Sequence, residues 1–361
     1  MDNKIAILSN GLSGKGGTET VLSYVGNSRE IKKHFDLVLF VFSKVKDESF
    51  FDHCGYSEVY KTELKSKVIR LIKLVKFLVN FKGSVVIITD PKLIPITKIV
   101  KQVLFKKYKI VFWSHYALDN VVLKENDAGI YIDFNKLKQS NYFLAISTGI
   151  KKELISNGIP SEKIKVIYNP LTPKTETILP SPSNCKFIYI ARIQMDGQKN
   201  LKGLLTALDK VKGDWILEIY GSGNDYPKAQ EFVKNHDNLR NKVIFKGWQL
   251  DPWGMVSEAN ALLLNSNYEG LPMVLAEAMS YGIPCVSSDC PTGPDDLIIP
   301  KKNGFLYKVG DYDQLSKYLN LFVDNRIKFN PVEIKKSIHF MYNNEYDKRF
   351  ISEIDEIINN D

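Results

Sequence analysis

Short apolar runs alternate with helical stretches through most of the chain, and this alternation constrains the fold more than any other feature. Each run has the length of a strand that is buried on both faces. Alternating strands and helices build a parallel sheet that helices cover on both sides. The runs of the first half are Lys4–Leu8, Leu37–Phe42, Val85–Thr89, Ile110–Trp113 and Tyr142–Ile146. Those of the second half are Lys186–Ala191, Trp215–Tyr220, Val243–Phe245, Ala261–Leu264 and Pro284–Ser288.

A proline-rich stretch separates the two series. It extends from Asn169 to Ser183 and has prolines at 170, 173, 180 and 182, which disfavour regular structure. A chain of 361 residues is long enough for two domains. We therefore predict an α/β protein with a Rossmann-like N-terminal domain over 1–170 and a Rossmann-like C-terminal domain over 171–331. A helical segment is predicted over 332–361.

Composition is that of a soluble globular protein, with 44% apolar and 25% charged residues. We expect no signal peptide and no membrane span, because neither a leader pattern nor a long enough apolar run is present. The four cysteines lack C-x-x-C spacing, so we expect reduced thiols in the cytoplasm and no zinc site. Residues 1–170 carry 27 basic and 16 acidic side chains, against 22 and 25 in the remainder. This asymmetry favours an acidic partner for the N-terminal half.

Two basic apolar stretches carry much of that charge, one from Lys65 to Lys82 and one from Lys98 to Lys109. Both patterns fit amphipathic helices with a solvated basic face. Both also fit helices on an anionic membrane surface, where Ile69, Leu74 or Phe77 would reach the interface. No nucleic-acid-binding module accompanies the charge, so nucleic acid is not expected as a partner.

A glycine-rich turn, Gly11–Thr18, follows the first predicted strand. It is not a Walker loop, because Gly17 and Thr18 follow Gly16 where Lys and then Ser or Thr are required. It is not a dinucleotide fingerprint, because Glu19 stands where the last glycine would be. A turn without Cβ atoms at its tip can approach a ligand closely, and it can equally be a flexible turn.

The segment Glu269–Pro284, EGLPMVLAEAMSYGIP, places two acids on a strand–turn–helix unit. Met273 to Tyr281 is predicted as a helix, with Pro272 in its first turn. The free N–H groups at its start favour an anion such as phosphate. Glu269 and Glu277 are eight residues apart, so at about 100° per residue they return to nearly the same side of a helix. Both acids can face one ligand, or both can be solvated surface residues.

The same segment resembles the signature of retaining glycosyltransferase family 4, whose GT-B fold has two Rossmann-like domains facing a central cleft. The resemblance extends, in order, to most of the chain. It implies transfer of a hexosyl group from a nucleotide sugar, a UDP-sugar on family frequency, with retention of configuration. It also implies that no metal or other cofactor is needed, and that the C-terminal helices cross back to the N-terminal domain.

The acceptor that this resemblance implies is a glycan or an undecaprenyl-type lipid-linked glycan of cell-surface polysaccharide synthesis. The protein would then be cytoplasmic, or peripheral on the inner face of the cell membrane.

The resemblance also implies roles for individual residues. Arg192 and Lys199 would stabilise the departing diphosphate, while Glu269 and His115 would contact the donor sugar. Glu277 would hold the ribose hydroxyls, since a carboxylate accepts two hydrogen bonds. The remaining residues predicted to bind the donor are Gly16, Gly17, Gly221, Gly223, Lys246, Gly247, Gly270, Leu271, Pro272 and Thr292.

Asp311-Tyr312-Asp313 spells D-x-D, the metal motif of the other major glycosyltransferase fold. Because it precedes a predicted helix, Asp311 or Asp313 is predicted to cap that helix instead. Two alternatives stay open, a GT-B sugar-nucleotide 2-epimerase and a non-catalytic sugar-nucleotide-binding protein. An NAD-dependent dehydrogenase does not fit, because both glycine patterns lack a required residue.

Overall fold

The computed structural model describes residues 3–12, 17–43, 45, 48–62, 66–119, 124 and 131–360. These residues form two compact units. Unit 1 takes the described residues of 1–118, 131–170 and 343–361, and unit 2 those of 119–130 and 171–342. The domain boundaries predicted above remain predictions, since these units are defined by contacts and not by independent folding.

The described part of unit 1 contains a seven-stranded sheet in which every neighbouring pair is parallel. Its order is β3-β2-β1-β4-β5-β6-β7. The strands are β1 Lys4–Ser9, β2 Asp36–Val41, β3 Glu58–Lys61, β4 Val85–Ile88, β5 Lys109–Ser114, β6 Tyr142–Ala145 and β7 Ile164–Val166. The helices are α1 Gly17–Asn27, α2 Arg29–His34, α3 Ser49–Asp52, α4 Lys67–Asn80, α5 Ile94–Val103, α6 Phe134–Leu137 and α7 Thr148–Ser156.

Unit 2 contains a six-stranded parallel sheet of order β10-β9-β8-β11-β12-β13. Its strands are β8 Cys185–Ile190, β9 Trp215–Tyr220, β10 Val243–Gly247, β11 Ala261–Leu264, β12 Cys285–Asp289 and β13 Gly304–Lys308. Its helices are α8 Leu201–Leu208, α9 Tyr226–Lys234, α10 Asp237–Arg240, α11 Met273–Ser280, α12 Pro294–Leu297, α13 Tyr312–Val323 and α14 Pro331–Ser337. The prediction of two parallel-sheet α/β units is therefore confirmed.

Three strands were not predicted from the sequence, and all three lie at a sheet edge: β3, β7 and β13. Edge strands are covered on fewer sides than central ones, so they need no continuous apolar run. Strand β3 reads EVYK and is only partly buried, in contrast to the fully buried VVII of β4. With only two apolar residues between two charged ones, β3 lacks the apolar run that identified the central strands.

The C-terminal segment is helical as predicted, but it is broken into separate pieces. Helix α14 ends at Ser337, a 3-10 turn follows over His339–Met341, and α15 extends over Asn343–Asn359. Helix α15 belongs to unit 1, where the carboxylate of Asp347 accepts hydrogen bonds from Tyr24 at 3.0 Å and Ser28 at 2.9 Å. Burial raises the pKa of Asp347, and these two hydrogen bonds oppose that rise.

Helix α4 corrects part of the membrane-surface expectation. Leu74 is fully buried, so its proposed contact with an interface is wrong, whereas Ile69 is 44% exposed. Phe77 is partly buried and packs against Phe40 with ring centroids 5.0 Å apart. Arg70 is not part of a solvated face, because its Nη1 donates to Ser43 Oγ at 2.9 Å.

The D-x-D motif caps α13. Asp311 is the N-cap residue, and its Oδ1 accepts from the backbone N–H of Gln314 at 2.9 Å. Asp313 instead pairs with Lys210, Oδ1 to Nζ, at 2.7 Å, with both side chains largely exposed. The predicted cap is thus Asp311.

We expect Asp311→Ala to lower the free energy of unfolding by about 1 kcal/mol, because the cap hydrogen bond is lost. The matched control is Asp313→Ala, which removes only an exposed ion pair and should cost a few tenths of a kcal/mol. Urea denaturation monitored by circular dichroism measures both. Equal losses in the two variants would contradict the cap assignment.

Candidate active site

Each sheet has one point where the strand order reverses, between β1 and β4 in unit 1 and between β8 and β11 in unit 2. Ligands of open α/β sheets bind at the carboxyl ends of the strands beside such a point. The predicted site residues follow the carboxyl ends of these strands and of their neighbours in both units.

In unit 2, Glu269 and Lys199 form a buried ion pair. Lys199 Nζ lies 2.5 Å from Glu269 Oε1, and Ser266 Oγ donates to the same oxygen at 2.6 Å. Glu269 is only 7% exposed, so a carboxylate in this position requires such partners. The two residues were predicted to act on different parts of the donor, whereas the structure brings them into direct contact.

A set of amide contacts, which the sequence analysis missed, holds Lys199 in place. Asn265 Nδ2 donates to the carbonyl of Asn200 at 2.7 Å, and Asn267 Nδ2 donates to that of Gly197 at 2.6 Å. The N–H of Asn267 donates to the carbonyl of Gln198 at 2.8 Å. Asn200 is also the N-cap of α8, with a left-handed φ of 42°. The loop after β8 is therefore fastened to the loop after β11.

Arg192 follows β8 and is exposed. Among the described residues, no carboxylate lies within 4.0 Å of its guanidinium, in contrast to Lys199. Burial raises the pKa of Tyr268, and the nearby charge of Arg192 opposes that rise. Arg192 is thus a cation that lies near Tyr268 and forms no ion pair within the described part of the chain.

Close packing between two loops of unit 2 explains why positions 221 and 223 are glycines, without any ligand. A Cβ on Gly221 would lie 2.0 Å from the carbonyl oxygen of Ala191, and the φ of Gly221 is +151°. A Cβ on Gly223 would lie 2.2 Å from the carbonyl oxygen of Ile193. Both glycines let the loop after β9 touch the loop after β8, so their predicted place beside a nucleotide remains a prediction.

Lys246 and Gly247 end β10, next to the same loop. The ammonium of Lys246 lies 3.2 Å from Glu218 Oε1, so its charge is already paired. The carbonyl of Gly247 accepts from the N–H of Gly221 at 2.8 Å. The ammonium of Lys246 and the carbonyl of Gly247 thus both have partners within unit 2, and their predicted contact with the donor remains a prediction.

Glu277 lies on α11 and is oriented by Trp253. The indole Nε1 of Trp253 donates to Glu277 Oε2 at 3.0 Å. Burial raises the pKa of Glu277, while this hydrogen bond and the charge of Lys174 oppose the rise. Pro272 is the N-cap of α11, not a member of its first turn as predicted. Trp253 had no sequence signal, since it lies 24 residues from its partner.

The loop after β12 packs onto the turn before α11. Thr292 Oγ1 donates to the main-chain carbonyl of Glu269, so its hydroxyl is engaged within the protein. Gly293 has a φ of +93°, and a Cβ there would lie 2.6 Å from Pro272 Cδ and 3.0 Å from the carbonyl oxygen of Gly270. This close approach requires glycine. The turn Gly270-Leu271-Pro272 is thereby fixed from both sides.

In unit 1, the loops after β1, β4 and β5 and the start of α1 enclose a pocket of about 500 Å³ that His115 lines. Asp90 and Glu19 place two carboxylates on its wall. Gly17 is the first residue of α1, and Gly16 lies outside the described residues.

His115 is held as a neutral imidazole. Burial lowers its pKa to about 3. Neither ring nitrogen has a hydrogen-bond partner within the described part of the chain. The ring packs on Trp113 with centroids 4.6 Å apart. Both nitrogens are shielded from solvent, and a buried polar group without a partner is rare.

Comparison with known proteins gives the family. Residues 178–338 match the family described as glycosyl transferases group 1. The chain is 34% identical to the lipopolysaccharide 1,6-galactosyltransferase of Salmonella typhimurium over 361 residues, which cover 96% of this chain and 97% of that protein. The Escherichia coli K12 protein of the same name is 33% identical, with 95% of each chain covered.

This chain belongs to the group 1 glycosyltransferases. Solved structures agree with that assignment. The apo form of the lipopolysaccharide outer core galactosyltransferase WaaB superposes with a TM-score of 0.87 at 32% identity, covering 98% of this chain and 99% of that one. The Anabaena HepE structure in complex with UDP gives 0.78 at 18% identity, covering 98% and 100%. The predicted GT-B fold and the predicted glycosyltransferase activity are both confirmed.

Trp253→Phe should weaken the binding of a nucleoside diphosphate to this glycosyltransferase, because Glu277 loses the donor that orients it. The variant keeps ring packing but removes a hydrogen bond that lowers the pKa of Glu277. Affinity should fall as the pH decreases through the pKa of Glu277. In the variant this fall should occur at higher pH than in the wild type, because the pKa of Glu277 is raised. Calorimetry across a pH series measures this, with Glu277→Gln as the control that lacks this titration. An unchanged affinity and pH profile in Trp253→Phe would reject the orienting role.

His115 should stay neutral between about pH 5 and 8, the range in which an ordinary histidine titrates. Burial alone lowers the pKa of His115, because it disfavours the charged imidazolium. NMR of the labelled imidazole follows its protonation directly, with His115→Asn identifying the resonance. A midpoint near the ordinary value of 6.5 would contradict the buried neutral state.

Proposed function

We propose that this glycosyltransferase is a retaining enzyme of family 4 that transfers a hexosyl group from a UDP-sugar to a cell-surface glycan acceptor, free or lipid-linked. The observation that carries the proposal is the cation of Arg192, which lies near Tyr268 and has no carboxylate within 4.0 Å among the described residues. Glu269, the next residue after Tyr268, forms a buried pair with Lys199 just ahead of α11 in the chain. The relatives from Salmonella and Escherichia coli are lipopolysaccharide galactosyltransferases, so galactose is the first sugar to test. The UDP bound in the Anabaena HepE structure supports the choice of nucleotide.

In the proposed reaction, the bond between the anomeric carbon and the diphosphate oxygen breaks. A new bond forms between that carbon and the acceptor oxygen, and the acceptor proton passes to the departing diphosphate. Negative charge builds on the diphosphate as the bond breaks. Arg192 and the N–H groups at the start of α11 would stabilise that charge, which lowers the barrier.

Lys199 has a double role in this proposal. Its ammonium neutralises Glu269 in the described structure, so a diphosphate would share this cation with Glu269. Glu269 would then contact the donor sugar from a fixed position, held by Lys199 and Ser266. Glu277 would accept the ribose hydroxyls. His115, as a neutral ring, would contribute a hydrogen bond without adding charge.

Incubation with a panel of UDP-sugars and lipid-linked or free glycan acceptors tests this function. We expect a hexose to be added, with the donor's anomeric configuration retained in the product by NMR. Activity should persist in excess EDTA, because Arg192 supplies the charge that a metal would otherwise supply. Inversion, or activity that EDTA abolishes and Mg²⁺ restores, would overturn the mechanism. An epimerised sugar nucleotide or simple binding without turnover would support the two alternatives instead.

Arg192→Ala should lower kcat by about a hundredfold, equivalent to about 3 kcal/mol, as for the loss of one donor to a developing oxyanion. Arg240→Ala is the matched control, because Arg240 is an exposed arginine of the same unit that pairs with Asp237 at 2.8 Å. Steady-state kinetics with saturating acceptor measures both variants. Near-normal turnover in Arg192→Ala would remove it from the proposed diphosphate site.

A lipid-linked acceptor would require the enzyme to reach a membrane. No helix in the described part of the chain has the length and apolarity to cross one. For such an acceptor we propose peripheral contact from the cytoplasmic side, through apolar side chains that unit 1 exposes on α4 and at and just beyond the end of α5. Val68 is 66%, Val103 67% and Phe105 89% exposed. Helices α4 and α5 pack against each other, so these side chains occupy neighbouring elements.

Val68→Ser/Phe105→Ser should bind anionic liposomes about tenfold less tightly, because each exposed apolar side chain contributes on the order of 1–2 kcal/mol when buried. The matched control is Val332→Ser/Leu250→Ser, which changes exposed apolar residues of unit 2. Co-sedimentation across a salt series measures binding. Equal binding by wild type and the α4–α5 variant, or indifference of the wild type to lipid charge, would refute the contact.

A further inference from the structure

Unit 1 contains a second cavity of about 520 Å³ that shares no lining residue with the His115 pocket. It lies between α4, the edge strand β3 and its neighbour β2. Residues on its wall include Lys4 at the start of β1, Glu58 on β3, and Asn80 at the end of α4. No predicted site residue lines it, so neither the transfer reaction nor the donor accounts for this cavity.

Aromatic rings form one wall of the cavity. Phe77 lies at the centre of this group, with its ring centroid 5.0 Å from that of Phe40, 5.0 Å from Tyr60 and 5.7 Å from Phe81. Tyr60 is 41% exposed at the sheet edge, although most of the sheet's aromatic rings are buried. The wall therefore offers an apolar surface that the protein itself leaves partly uncovered.

Lysines surround this aromatic wall: Lys4, Lys61, Lys73, Lys76 and Lys82 all line the cavity, and Glu58 is the acid among the lining residues. Two of the five are already paired. Lys4 Nζ lies 2.5 Å from Glu58 Oε1, and Lys61 Nζ lies 2.6 Å from Glu48 Oε2.

The other three, Lys73, Lys76 and Lys82, have no carboxylate within 4.0 Å among the residues that the structure describes. All three are exposed. The cavity thus has an excess of positive charge at its mouth and an apolar wall inside.

Lysines beside aromatic rings favour an amphiphilic anion as the ligand of this cavity. Free phosphate would be attracted by the lysines but would gain nothing from the rings, and a neutral apolar molecule would leave the ammonium groups unpaired. A lipid with a phosphate headgroup satisfies both, with the phosphate at the lysines and the glycerol and first methylenes against Tyr60 and Phe77. Lysine ammonium groups bind phosphate as point charges.

The placement of α4 favours a lipid drawn from a bilayer. At about 100° per residue, Lys76 lies about 40° around the helix from Ile72 and about 80° from Val68. Ile72 is 60% exposed and Val68 66% exposed. Lys76 therefore lies on the same side of α4 as Ile72 and as Val68 of the proposed membrane contact, so one bilayer surface can reach all three.

We propose that this cavity is a binding site for the phosphate headgroup of a single anionic membrane lipid. The site would act together with the proposed membrane contact, and it does not depend on the sugar-transfer chemistry. A headgroup bound in the cavity fixes one side of unit 1 against the bilayer. Apolar side chains alone would leave the protein free to rotate on the surface.

The test uses a short-chain phosphatidic acid, kept below its critical micelle concentration so that no bilayer is present. Calorimetry should show saturable one-to-one binding to the full-length protein. Lys73→Gln/Lys76→Gln/Lys82→Gln should weaken it about tenfold or more, since each exposed ion pair contributes up to about 1 kcal/mol. The matched control is Lys32→Gln/Lys138→Gln/Lys163→Gln, three exposed lysines of unit 1 outside the cavity, which should bind as wild type does.

Two further arms identify the ligand. Inorganic phosphate and short-chain phosphatidylcholine should each bind at least about tenfold less tightly than phosphatidic acid, because each lacks either the apolar part or the net charge. Tyr60→Ser should weaken phosphatidic acid binding and leave any phosphate binding unchanged. Tight binding of phosphate alone would show an anion site, and equally tight binding of UMP would show a nucleotide site. Either result overturns the lipid assignment, as does equal loss in the control triple variant.

A final comparison separates the cavity from the membrane-contact surface. Val68→Ser/Phe105→Ser changes no lining residue, so it should bind monomeric phosphatidic acid as wild type does while binding anionic liposomes less tightly. If that variant lost both, the cavity would not be an independent site and the proposal would fail. Loss of sugar transfer in any variant has no bearing on this measurement.

Discussion

The burial of Glu269 is the constraint on which the rest of unit 2 depends. A carboxylate that is 7% exposed is costly unless it is paired, and breaking such a pair is strongly destabilising. Lys199 supplies the charge from a residue 70 positions away, and Asn200 and Asn267 hold the loop that carries it. The loops after β8 and β11 consequently form one rigid surface at the point where the strand order reverses.

This arrangement divides the positive charge of the site unequally. Lys199 is partly neutralised by Glu269, whereas Arg192 has no carboxylate within 4.0 Å among the described residues. Arg192 is therefore the cation with more charge to offer an incoming anion. Glu277 is likewise held before any ligand arrives, by the indole of Trp253. Groups positioned in advance need no reorganisation when charge develops, which is where most electrostatic catalysis arises.

Unit 1 uses burial in a different way. The ring nitrogens of His115 are buried without partners, and this burial lowers the pKa of the ring, so it stays neutral. Helix α4, in contrast, buries only some of its apolar side chains. Leu74 and Leu78 are buried, whereas Val68 and Ile72 are exposed to solvent. A surface helix normally turns its apolar side chains toward the core. The exposed apolar positions of α4 share the helix with exposed lysines, and this pattern is the reason for the membrane contact proposed above.

The sequence by itself determined the parallel α/β class, because central strands buried on both faces must be continuous apolar runs, as in the VVII of β4. It also determined the helix after Glu269 and a cap at Asp311 or Asp313, since both follow from residues close together in the chain, and the structure selected Asp311. Only the tertiary structure decided the rest. The edge strand β3 carries a mixed pattern because it is half covered. The contacts of Glu269 with Lys199 and of Glu277 with Trp253 join residues 70 and 24 positions apart. No local pattern encodes such pairs, because their geometry exists only once the strands that bring them together have formed a sheet.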